Sequence, residues 1–177
     1  MPAEAPTQDD LYQKAAETYG AALERLARAY EADPEVRRDL LQDIHIGLWR
    51  SFGNFNGRCS LRTWVYRVAH NVAASHIIRQ RRTKSATLVG LEQLESVPDK
   101  RGNVCEADRR EVLERLLELI QRLKPLDRQV ILSYLEGLDA ASIGDITGIS
   151  AVNVATKIHR IKRILAQRFH KGGKDDK

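Results

Sequence analysis

No aspartate or glutamate occurs between residues 54 and 84 of this 177-residue chain. A stretch of that length without an acid cannot neutralise its own cations. It also offers no carboxylate for general acid–base work or for a metal. Cysteine is nearly missing as well. Cys59 and Cys105 are the only two, which excludes a disulfide scaffold. With five scattered histidines they do not supply a four-ligand zinc site, and they read as free thiols of a reducing compartment. No apolar run is long enough to span a bilayer. The start, MPAEAPTQDD, has neither the basic opening nor the apolar core of a signal peptide, so the expected location is cytoplasmic. Enzymatic machinery is thin. His70 and His76 have no acid near them in sequence, Ser75 sits in no nucleophile elbow, and there is no glycine-rich phosphate loop. Asp39 and Asp43 lie one helical turn apart, a spacing that more often marks a solvated face or a protein contact. No enzymatic activity, cofactor or metal is expected.

The acid-free stretch is filled by Arg58, Arg62, Arg67, Arg79, Arg81, Arg82 and Lys84, with His70, His76 and the rings of Phe55, Trp64 and Tyr66 among them. Those are three of only ten aromatic residues in the chain (three Phe, two Trp, five Tyr). A basic run alone is usually just a solvated face. Cations interleaved with aromatic rings suit a nucleic acid better. The cations neutralise phosphates and release counterions, and the rings can stack on bases that have left the duplex. Residues 150–171 form a second acid-free zone, with Lys157, Arg160, Lys162, Arg163, Arg168 and Lys171, whereas residues 1–43 hold ten acids against five Lys or Arg. The net charge is +5 and the pI about 9.4. Two basic zones behind an acidic start point to two footprints on a polyanion.

Almost every periodic segment reads as helix. Leu11, Ala15, Tyr19, Leu23, Leu26 and Tyr30 mark one over 10–31. Asp33-Pro34 looks like an N-cap followed by proline at the first helical position. Val36, Leu40, Ile44, Leu48 and Phe52 make the apolar stripe of the next helix, with Asp39, Gln42, Asp43 and Arg50 on its other side. Gly53, Asn54, Asn56 and Gly57 make a loop. From Leu61 a helix resumes, with Leu61, Val65, Val68 and Val72 expected inside and Thr63, Arg67, His70 and Ala74 outside. Residues 85–108 carry Gly, Pro and Ser, no sustained period and five acids, and read as a linker. Beyond it Val112, Leu116, Leu119 or Ile120, and Leu123 give a helix stopped by Pro125. Asp127 is placed to cap the next, which stops at Gly137. The fold class is all-α: two small helical domains joined by a flexible linker.

The second domain ends in DAASIGDITGISAVNVATKIHRIKRILA, residues 139–166. Asp139 is placed to cap a short helix that buries Ile143 and Ile146. Gly144 in its middle costs about 1 kcal/mol relative to alanine, which makes sense where another helix comes very close. Gly148 suits a positive φ at the helix end, Ile149 anchors the turn, and Ser150 can cap the last helix. There Val154, Ile158, Ile161 and Leu165 form a buried stripe, and Thr156, His159, Arg160 and Arg163 lie on the other side. A helix that docks by its apolar face and turns a polar, acid-free face outward has the layout of a helix-turn-helix reader of the major groove.

Three pieces, DLLQDIHIGLWRSFGNFNG, RCSLRTWVYRVAHNVAASHIIRQRR and LKPLDRQVILSYLEGLDAASIGDITGISAVNVATKIHRIKRIL, have the order and spacing of a known family. From about residue 11 to residue 169 the chain resembles the extracytoplasmic-function sigma factors of bacterial RNA polymerase. The resemblance implies a promoter-melting domain over 7–84, a linker over 85–108 and a helix-turn-helix domain over 109–171. It implies core RNA polymerase and promoter DNA as partners, with an anti-sigma factor as a further one. Asp39, Gln42, Asp43, Ile46 and Arg50 would meet the polymerase clamp. Asn54, Phe55, Arg58, Trp64, Arg67, His70, Asn71, Ser75 and Arg79 would handle the minus-ten element, although Trp64 is as readily a core residue as a stacking platform. Thr156, His159 and Arg160 would face bases of the minus-thirty-five element, with Ser150, Lys157 and Arg163 nearer the phosphates and Asn153 also among the DNA-binding residues. A two-domain regulator acting without the polymerase core explains the helix-turn-helix equally well, but not the aromatic, acid-free segment of the first domain. Cys59, between Arg58 and Arg62, is also a candidate redox thiol.

Overall fold

The computed structural model describes the backbone of residues 6–83 and 109–171, with side chains over 6–80 and 111–168. The linker expected over 85–108, with Cys105, and the side chains of Arg81, Arg82, Lys84 and Lys171 lie outside the described residues. Seven helices are described: α1 (Gln8–Tyr30), α2 (Pro34–Phe52), α3 (Leu61–Thr83), α4 (Arg109–Arg122), α5 (Pro125–Leu135), α6 (Ala140–Thr147) and α7 (Ala151–Lys171). The described residues divide into two compact units, one formed by 6–83 with 145–148, the other by 109–144 with 149–171.

In the first unit α1, α2 and α3 pack pairwise. Thr7 and Asp10 close a capping box at the start of α1. Asp33 caps α2 through Glu35 N and Val36 N, with Pro34 at the first position. Ser60 accepts from Thr63 N at 3.0 Å and so caps α3. The core comprises Ala15, Leu23, Leu26 and Tyr30 of α1, Leu40, Ile44, Leu48 and Phe52 of α2, and Val65, Tyr66, Ala69, Ala73 and Ile77 of α3.

The buried face of α3 is broader than the valine stripe the sequence suggests, and rotated from it. Leu61, Val68 and Val72 are only half-buried, whereas Thr63, His70 and His76 are buried. A helix flanked by two others has two contact faces. The polar groups drawn inside are hydrogen-bonded, as burial demands. Thr63 Oγ1 lies 2.8 Å from Ser60 Oγ, His70 Nδ1 lies 3.0 Å from the Tyr30 hydroxyl, and His76 meets Glu31 and Gln80.

In the second unit α5 packs on α7. Asp127 does not cap α5. The N-cap is Lys124, which makes no side-chain cap bond, and Asp127 is buried against Lys157, with Nζ to Oδ1 at 2.7 Å. The end of α4 is satisfied by a buried cation instead. Arg128 is 1% exposed, and its guanidinium donates to the carbonyls of Gln121 and Leu123, favourable at the negative end of a helix. Asp139 caps α6 through Ser142 N at 2.7 Å, Gly148 has φ +77, and Ser150 Oγ accepts from Asn153 N at 3.3 Å. A Cβ on Gly144 would lie 2.8 Å from the carbonyl oxygen of Ile149. What crowds Gly144 is therefore the backbone of the turn itself, not the face of another helix.

Because backbone cannot swing aside as a flexible side chain can, Gly144→Ala is expected to destabilise the full chain by about 1–3 kcal/mol, read as a lowered urea midpoint. A midpoint equal to or above wild type, as alanine's better helix propensity alone would give, would show that the turn yields.

Candidate nucleic-acid interface

The expected polymerase and minus-ten residues of the first unit converge more than the sequence showed. Asp43, Ile46, Gly47 and Arg50 of α2 and Asn71, Val72, Ser75 and Arg79 of α3 line one open groove of about 360 Å³. Asp39, Gln42, Asp43, Ile46 and Arg50 are all exposed, as are Asn71, Ser75 and Arg79. An ion pair spans the groove, Arg79 Nη2 to Asp43 Oδ2 at 3.4 Å. Both side chains are largely in solvent, where such pairs contribute about 0–1 kcal/mol.

At one end of α3 lies the loop after α2. Asn54 N donates to Ser51 O and Phe55 N to Phe52 O. Arg58 N donates to Asn56 Oδ1, and Gly57 turns the chain at φ +72. Asn54 and Arg58 are exposed. Phe55 and Trp64 are half-buried and stacked edge to face, with centroids 5.4 Å apart. The Trp64 indole N–H donates to Ser51 Oγ at 3.0 Å. Trp64 is thus wedged between loop and helix, and Phe55 is the ring nearer the loop. Arg67 comes one turn later on α3. Cys59 is a half-buried free thiol beside them.

His70 does not belong to this surface. It is fully buried, packed against the rings of Tyr30 and Tyr66, and burial lowers its pKa from the ordinary 6.5 to about 3. A neutral, enclosed imidazole cannot reach DNA. His45, bonded to the Tyr12 hydroxyl at 3.1 Å, is also pushed down by burial. Sequence reasoning does not single out Trp49, 44% exposed on α2, with its N–H donating to Asp9 at 2.7 Å. Its place beside Arg50 and three residues after Ile46, off the Leu40–Ile44–Leu48 stripe, was the available signal.

In the second unit the expected reading face of α7 is exposed at Asn153, Thr156, His159 and Arg163 and half-buried at Arg160, and Ser150 is exposed at its cap. Lys157 departs from expectation. Its half-buried ammonium is already held by the buried Asp127, so it braces α7 against α5.

Residues 15–83 match the model of sigma-70 region 2, and residues 113–165 match that of sigma-70 region 4. The chain belongs to the sigma-70 family, in its extracytoplasmic-function (ECF) branch. The ECF RNA polymerase sigma factor SigG of Mycobacterium tuberculosis is 26% identical over 163 residues, covering 78% of this chain and 44% of SigG. The chain therefore spans less than half of that relative. The RNA polymerase sigma-H factor of Pseudomonas aeruginosa is 27% identical over 140 residues, covering 75% of this chain and 72% of that one. Among solved structures, the sigma factor RpoE in complex with the anti-sigma factor NepR from Bartonella quintana is similar with a TM-score of 0.66 at 16% identity, over 91% of this chain and 96% of that chain. CnrH in complex with the cytosolic domain of CnrY gives 0.65 at 18%, over 93% and 90%. At these identities the structural likeness speaks to the fold. Among the described residues of this sigma-70 family member, no helix is long and apolar enough to cross a membrane.

The buried His70 sets a pH dependence on region 2. The unfolded chain protonates this residue as pH falls through about 6.5, and the folded chain resists until about 3. The stability this imparts is full above the unfolded value and is lost between the two. His70→Gln is therefore expected to flatten the stability–pH curve in that window, by up to about 1.4 kcal/mol per pH unit. Urea unfolding at several pH values checks it, and parallel curves for the two proteins would contradict the burial of a neutral imidazole.

Proposed function

We propose that this chain binds core RNA polymerase and directs it to promoters, melting a minus-ten element with region 2 over 7–84 and reading a minus-thirty-five element with region 4 over 109–171, the two joined by residues 85–108. One observation carries the reading. A single chain sets an exposed polar bank on α2, with Asp43 and Arg50, against an acid-free row on α3 across one groove, and also holds a capped helix-turn-helix with a polar outer face. A regulator working alone needs the second feature and has no use for the first. On this reading the chain performs no catalysis of its own. The exposed bank of Asp39, Gln42, Asp43, Ile46 and Arg50 serves the polymerase. Asn54, Phe55, Arg58, Arg67, Asn71, Ser75 and Arg79 serve the minus-ten strand, where bases must leave the stack to be captured. Ser150, Asn153, Thr156, His159, Arg160 and Arg163 serve the minus-thirty-five duplex. RpoE of Bartonella quintana was solved with an anti-sigma factor, and we extend a partner of that kind to this chain.

Transcription in vitro with core polymerase and a library of promoters tests the reading. Initiation from a defined subset supports it, whereas tight DNA binding by the chain alone with no complex with core would favour a free-standing regulator. Asp43→Arg is expected to weaken core binding at least about tenfold by placing a like charge where an acid was used, with unchanged thermal unfolding because Asp43 is exposed. Wild-type affinity would remove the α2 assignment. Arg160→Ala is expected to cost about 1–3 kcal/mol on the preferred site and little elsewhere. An equal loss on every sequence would place Arg160 on phosphate.

A further inference from the structure

On the promoter reading α7 lies in a major groove, and the role of its outer face rests on that placement. This outer face is one stripe of exposed residues: Val152, Ala155, Thr156, His159 and Arg163. At 3.6 residues per turn these fall within one arc, with Asn153 and Arg160 along one edge. Val152 is 75% exposed, more than any other large hydrophobic side chain among the described residues. It is the second residue of α7, at the end of a recognition helix that meets base edges.

A solitary exposed valine needs no explanation, but its neighbours share its character. Ala155 is exposed one turn on. Thr156 is exposed too, yet its hydroxyl donates to Val152 O at 3.0 Å. A hydroxyl has one hydrogen, and here the helix backbone holds it. Thr156 therefore keeps only its acceptor lone pairs and its methyl for a base. Along the centre of the stripe no side-chain N–H or O–H is available to a base until His159.

We propose that Val152, with the methyls of Ala155 and Thr156 beside it, reads thymine C5-methyl groups in the minus-thirty-five element and is a specificity-determining residue for promoter choice. In the major groove the thymine methyl is the apolar mark that separates that base from the others. A face that opens on apolar groups gains by covering it and has no donor at its centre with which to satisfy the N7 and O6 acceptors of a guanine.

Selection of a randomised duplex pool by the full chain with core polymerase yields the preferred minus-thirty-five sequence. Each thymine in it is then replaced by uracil, which deletes only the methyl group. At one or more positions uracil is expected to weaken wild-type binding about three- to fivefold, the effect of one buried methyl. Val152→Ala is expected to bind the thymine and uracil duplexes alike at that position. Val152→Thr, which keeps one methyl, is expected to fall between. Neutral uracil at every position overturns the assignment, and so does a thymine preference that survives unchanged in Val152→Ala. In both cases the preferred sequence itself remains, and the promoter reading stands. The absence of any preferred sequence overturns both together.

Discussion

What the first unit presents to a partner depends on how closely α2 and α3 approach at Gly47. A Cβ there would lie 2.9 Å from Val72 Cγ2, and a helical valine is stiff at χ1 and cannot turn away cheaply. The two backbones therefore come as near as the absence of a side chain allows, and Gly47 and Val72 floor the groove. Asp43 and Arg50 stand on one bank, Asn71, Ser75 and Arg79 on the other. The ion pair across the top does not set that width. At 3.4 Å between two well-solvated side chains it contributes about 0–1 kcal/mol, whereas misplacing a methyl group in a packed contact costs about 1–3 kcal/mol. Packing fixes the groove, and the charges decorate it.

Cations and imidazoles are divided between outside and inside, and only the outside set was legible. Reading the sequence, one counts His70 and Lys157 toward the DNA surface because each sits among basic or polar neighbours. The structure uses both elsewhere. His70 completes a buried aromatic group with Tyr30 and Tyr66, and Lys157 answers Asp127. Arg128 closes the end of α4, and Arg115, 7% exposed, donates to Arg168 O near the end of α7. Their partners lie as far as 53 residues away in sequence, beyond the reach of any local pattern.

What was legible was local. Asp33, Asp139 and Ser150 cap the helices assigned to them because a cap is decided within three residues. Gly148 takes positive φ for the same reason. The α2 stripe of Leu40, Ile44, Leu48 and Phe52 is buried as its four-residue repeat implies, which leaves Asp39, Gln42 and Asp43 outside. On α3 the same method failed. The helix packs against both α1 and α2, so its buried arc takes in Thr63, His70 and His76 once Ser60, Tyr30, Glu31 and Gln80 supply their hydrogen bonds. Hydropathy cannot see a buried polar residue whose partner comes from another helix.

The same inward bonds explain how α7 can face outward with so few polar groups at its centre. A recognition helix must be held at a fixed rotation, because a turn of one residue about its axis replaces the whole outward stripe. Apolar packing of Val154, Ile161, Ile164 and Leu165 resists that rotation only softly, since aliphatic groups repack. A charged contact at 2.7 Å between Lys157 and a buried Asp127 is directional, and losing it would strand a carboxylate inside the unit. Phosphate contacts position a reader and base contacts specify. On the promoter reading proposed above, part of the positioning would be done before DNA arrives, by the Lys157–Asp127 ion pair within this unit. The first turns of the outer stripe, Val152, Ala155 and Thr156, thereby carry shape and methyl groups in place of charge.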